Sequence, residues 1–75
     1  MPRLPRITGK ELARALERAG FTRVRQRGSH AICHHYGSRR TATVKLTPRV
    51  LAPGTLVSAL DQAGLSPEDL EELLR

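Results

Sequence analysis

The segment Arg25-Gln26-Arg27-Gly28-Ser29-His30 gathers most of the groups in this chain that could do chemistry. An imidazole takes and gives protons near neutral pH, which makes His30 a candidate general acid or base. Gly28 has no Cβ, so its backbone can lie close to a bound phosphate, and Ser29 adds a hydroxyl donor. Arg25 and Arg27 would offset the charge that builds on a phosphoryl group in its transition state. In a ribonucleotide the 2′-hydroxyl is an internal nucleophile. One positioned base and a cationic clamp then suffice for strand scission without a metal. The residues alone also allow a plainer reading, in which Gly28-Ser29 only bends a strand and His30 is an ordinary surface residue.

His30, Cys33, His34 and His35 lie within six residues and raise the question of zinc. A structural zinc site of this size usually draws its four ligands from two separated elements. Strand alternation also sends Cys33 away from His30 and His34, so neither a metal nor another cofactor is expected. Cys33, the only cysteine, reads as a small buried apolar residue and can form no intrachain disulfide. Phe21 and Tyr36 are the only aromatic residues, which provides poorly for stacking of bases.

The elements that must position these groups can be read from periodicity. Thr8-Gly9-Lys10-Glu11 is a capping box, followed by Leu12, Ala15, Leu16 and Ala19 on one helical stripe. Gly20 ends that helix in a left-handed cap, with Phe21 folding back on the stripe. From Phe21 to Arg27 the period changes to two, and His30 to Tyr36 reads as a second strand. Which face of that second strand is buried stays open, because Ile32 shares a side with His30 and His34, and Cys33 with Ala31 and His35. Thr41 to Leu46 alternates cleanly, with Ala42, Val44 and Leu46 inward and Thr41, Thr43 and Lys45 outward. Pro53-Gly54-Thr55 opens a second helix that stops at Gly64, and Ser66-Pro67-Glu68-Asp69 opens a short third one.

Short turns join the strands, so they form an antiparallel meander, and the fold class is α+β in the order α-β-β-β-α-α. A thin core needs the helices together on one sheet face. With Val24 packed inward, Arg23, Arg25, Arg27, Thr41, Thr43 and Lys45 would share the other face, a basic and hydroxyl-rich platform.

The chain's 75 residues are read as one domain, 1–75, with a small core: a chain of this size buries only about 60% of its unfolded surface. Its net charge of +6 is unevenly placed. Residues 1–49 carry twelve Lys/Arg against Glu11 and Glu17, a balance of +10; residues 50–75 carry Arg75 against five acids, a balance of −4. A basic field of this density attracts polyanions, because each phosphate contact releases condensed counterions. No apolar stretch approaches the ~20 residues that span a bilayer. Met1 to Arg6 is basic and proline-rich with no apolar run behind it, so a cytoplasmic location away from membranes is expected.

The sequence resembles the HicA-type toxins of bacterial and archaeal toxin–antitoxin pairs. The resemblance runs through GKELARALERAGF (Gly9–Phe21), VRQRGSHAI (Val24–Ile32), GSRR (Gly37–Arg40) and LAPGTLVSALDQAGLS (Leu51–Ser66). A GSH triplet followed at fixed distance by a PGTL helix start is more specific than either piece alone. The resemblance implies a fold like that of double-stranded-RNA-binding domains and ribosome-independent endoribonuclease action on mRNA. It implies His30 as the essential histidine, Gly28 and Ser29 as its motif partners, and a HicB-type antitoxin as protein partner. Arg25, Arg27, Arg39, Arg40 and Lys45 would supply electrostatic support. Many members read VTVPVH where this chain reads TATVKL (Thr41–Leu46): Val44 replaces a proline and Leu46 a second histidine. His35 is a candidate auxiliary group in its place, and Lys45 is the other nearby candidate. An RNA-binding module without catalysis is the alternative that this departure supports, and a domain whose basic face meets only an acidic protein is a third.

Overall fold

The computed structural model describes residues 4–75, so the first three residues of the basic tail lie outside it. The order is α1 (Gly9–Arg18), β1 (Thr22–Arg27), β2 (His30–His35), β3 (Arg40–Lys45), α2 (Pro53–Ala63) and α3 (Pro67–Leu73). The three strands form one antiparallel sheet in the order β1-β2-β3. This is the α+β arrangement expected from the alternation of periods, each boundary falling within a residue or two.

Local chemistry sets the helix ends. At α1 the Thr8 hydroxyl accepts from Glu11 N–H (3.1 Å) while the Thr8 N–H donates to the Glu11 carboxylate (3.0 Å). The helix closes with Gly20 at φ +98°, Phe21 N–H donating to Leu16 C=O and Gly20 N–H to Glu17 C=O. That pair of bonds is a Schellman motif. Gly64, at φ +71°, closes α2 with the same pattern, its N–H donating to Asp61 C=O and that of Leu65 to Leu60 C=O. A second capping box, Ser66 with Asp69, starts α3.

The core lies between the helices and one sheet face. Leu12, Leu16, Leu56 and Leu70 are fully buried against Ala31, Cys33, Ala42 and Val44. Each buried leucine contributes about 2 kcal/mol, so four of them carry much of what a core this thin offers. Small residues on the strands let the helices approach closely. Closest of all is Gly9, where an added Cβ would overlap Lys45 C=O and lie 2.9 Å from Thr47 N. Lys10 N–H also donates to Thr47 C=O, so the start of α1 is locked onto the end of β3. α2 lies along β3, and Gln62 Oε1 accepts from Thr43 N–H at the sheet edge (2.9 Å).

One expectation needs correction. Val24 does not pack inward: it is 47% exposed and sits where the β1–β2 register slips between Arg23 and Arg25. That bulge puts Arg23 opposite Cys33 on the helix side, where its guanidinium meets Glu17 of α1 at 3.1 Å. Arg25 and Arg27, beyond the bulge, stay on the uncovered side.

Candidate functional site

The uncovered face is a grid of three residues on each strand. Reading across β1, β2 and β3, its rows are Thr22-His34-Thr41, Arg25-Ile32-Thr43 and Arg27-His30-Lys45. Every member is exposed except Ile32 and His34, which are half-buried. The ambiguity on β2 is resolved by Ala31 and Cys33, both fully buried under the helices, which leaves His30 outward.

His30 therefore has a cation directly across on each side, Arg27 on β1 and Lys45 on β3. Cross-strand neighbours place their Cβ atoms about 5 Å apart, so both side chains can reach a group bound at the imidazole. None of the ion pairs among the described residues involves Arg25, Arg27 or Lys45. Their charges remain available to an anion.

The turn before His30 is tight. Gly28 and Ser29 are the only residues between β1 and β2, with Gly28 at φ +57°, as in a hairpin turn of type II′. No atom of another residue stands where a Gly28 Cβ would be, so the turn is open to a ligand. Its carbonyls are held from both sides: Gln26 Nε2 donates to Gly28 C=O (3.1 Å), and Leu46 N–H donates to Ser29 C=O.

Other residues singled out from the sequence lie elsewhere. His35 points to the helix side, its ring tilted against Phe21 with centroids 5.2 Å apart and its Nδ1 accepting from Ser38 N–H (3.0 Å). It is half-buried on the face opposite to His30 and is not brought near it. Arg40, cross-strand from His35, lies over Gly64 and donates to Asp61 C=O (3.4 Å), at the negative end of the α2 dipole. Arg39 lies in the β2–β3 turn, at φ +60°. Five residues of strand put that end of the sheet about 16 Å from His30. Cys33 and His35 face the helices and His30 and His34 face away, so the four metal-ligating side chains do not converge. Burial pushes the Cys33 thiol above its usual value, as suits a core residue.

His34, which the sequence raises only as a metal-ligand candidate, belongs to the open grid. Its Nδ1 is 2.9 Å from Thr41 Oγ1, and its ring meets Tyr36 edge to face at 4.6 Å. The signal was present in the shared parity of residues 30, 32, 34 and 36, and it could be used only once the buried side of β2 was known.

A family model described as HicA toxin of bacterial toxin-antitoxin matches residues 9–65. The chain belongs to the HicA toxin family. The matched span begins at Gly9, where α1 locks onto β3, and takes in the whole sheet and α2. The chain is thus a toxin of a toxin–antitoxin system, with an antitoxin as partner. Among curated proteins none matches it. Of the family's features, the GSH triplet falls on the turn and first residue of β2, on the open face. Leu46, where the resemblance leads one to expect a second histidine, packs half-buried against the core. Among the described residues no helix is long and apolar enough to cross a membrane.

Proposed function

We propose that this toxin is a metal-independent endoribonuclease that cuts mRNA and so arrests translation, with His30 as its general base. The observation that carries the reading is the row Arg27-His30-Lys45: an exposed imidazole between two cations without acidic partners, beside an open turn. His30 takes the proton of a ribose 2′-hydroxyl, and the 2′-oxygen attacks the adjacent phosphorus. The bond from phosphorus to the 5′-oxygen breaks, and that oxygen takes a proton from Lys45 or water. Arg27 and Lys45 offset the charge on the non-bridging oxygens meanwhile. Gly28 and Ser29 hold the phosphate, and Arg25 extends the track along β1. The products are a 2′,3′-cyclic phosphate and a 5′-hydroxyl.

The partner is a HicB-type antitoxin that covers this face and shields its cations, and both proteins act in the cytoplasm. The test is incubation of the purified chain with end-labelled mRNA in EDTA, followed by analysis of the termini. Fragments ending in cyclic or 3′-phosphate support the reading, whereas 5′-phosphate ends or a requirement for divalent metal contradict it.

The placement of Leu46 and His35 favours a second reading. The first occupies a second-histidine position with a core side chain, and the second faces the wrong way to replace it. A module that binds RNA through phosphate and hydroxyl contacts without cutting it would show salt-sensitive binding and intact substrate after long incubation.

A further inference from the structure

The far row of the open face, Thr22-His34-Thr41, leads into the turn that carries Tyr36 and Arg39. Tyr36 is the most exposed large apolar side chain among the described residues, at 68%. Its ring is not loose, because it rests edge to face against His34, which Thr41 holds in turn through the imidazole Nδ1. The contact at Nδ1 leaves the His34 Nε2 free for a ligand. Arg39 in the same turn takes the left-handed backbone region that side-chain-bearing residues rarely adopt, and it joins none of the ion pairs among the described residues. An exposed aromatic ring and an oriented imidazole thus stand together at one end of the sheet, with Arg39 three residues beyond Tyr36 in the same turn. His34 lies about 13 Å along the strand from His30, farther than one nucleotide reaches.

From this arrangement we infer a second nucleotide subsite, in which a base of single-stranded RNA stacks on Tyr36 while His34 and Arg39 contact its edge or phosphate. The inference rests on the reading that RNA lies on the open face, and it gives the strand a direction along β2 from the Gly28-Ser29 turn to the β2–β3 turn. A fixed aromatic platform accepts any base at small entropic cost, since every base presents a π-face. Such a subsite selects unpaired RNA, because a base within a duplex has no face to offer.

Tyr36 is the chain's only tyrosine and there is no tryptophan, so intrinsic fluorescence reports on this ring alone. The His30→Ala protein is titrated with a short oligouridylate and, separately, with an abasic oligonucleotide of equal length and charge. Affinities, including that of the fluorescence-silent Tyr36→Ala, are read from the anisotropy of an end-labelled oligouridylate. Saturable quenching of Tyr36 by the oligouridylate only, with roughly tenfold weaker binding by Tyr36→Ala and near-full binding by Tyr36→Trp, supports the subsite. Binding without quenching, no binding, or equal affinity of Tyr36→Ala overturns it and leaves this patch to a protein partner. The readout is binding, so it separates the two proposals. Quenching in a protein whose wild type cuts nothing removes the nuclease reading alone; cutting without quenching removes the subsite alone.

Discussion

The carbonyl oxygen of Lys45 occupies the space that a Cβ on Gly9 would need. The same residue thus receives the start of α1 with its backbone and stands directly across from His30 on the open face. Gly9→Ala must push two backbone segments apart, at a cost of about 3 kcal/mol, the upper end for an overpacked contact. For a domain of this size that lowers Tm by more than about 10 °C in a thermal melt. The exposed neighbour Lys10→Ala stays within a few degrees of wild type.

The bulge at Val24 sorts the β1 arginines into two groups, and salt dependence reads the sorting out. Each phosphate contact to a single strand adds about 0.7 to the slope of log affinity against log salt. Arg27→Gln weakens RNA binding and reduces that slope by about this amount. Arg23→Gln leaves the slope unchanged and loses only its exposed pair with Glu17, worth under about 1 kcal/mol. Equal slope changes at both positions would mean that the register on β1 is wrong.

Acid weakens the fold through its two capping boxes. The Thr8 N–H bond, then the Thr8 hydroxyl, holds Glu11 below its usual 4.5, and Ser66 holds Asp69 below 3.8 in the same way. A depressed carboxyl favours the folded state above its ordinary value, and that gain disappears as pH falls through the folded one. The urea midpoint therefore drops as pH is lowered from about 5 towards 3. The double variant Glu11→Gln, Asp69→Asn shows a shallower drop over this window.

Helix ends and the outward side of β3 were legible in the sequence because they depend on neighbours in the chain. A capping box is complete within four residues, and a glycine that must take positive φ, such as Gly20 or Gly64, announces itself. The side of Arg23 was not legible, because a bulge depends on how β1 meets α1 and β2. Alternation carried through that slip inverts everything before it. The approach of Gly9 to Lys45 joins residues far apart in the chain and leaves no local mark. His34 and Tyr36 became visible as a pair only when the burial of Ala31 and Cys33 fixed the parity of β2. Of the residues the sequence singles out, Gly28, Ser29, His30, Arg27 and Lys45 lie at one end of the open face, with Arg25 one row further along. Arg39, Arg40 and His35 fall at the other end or behind it.

Catalysis by His30 is tested most directly by single-turnover cleavage of unpaired mRNA in EDTA, comparing wild type with His30→Ala. Circular dichroism and RNA affinity are measured on the same preparations. His30 is exposed and supports no core contact, so the variant folds and binds RNA as wild type does. Its cleavage rate falls by at least about a hundredfold, as loss of a general base requires. A His30→Ala protein that cuts at the wild-type rate would contradict the account.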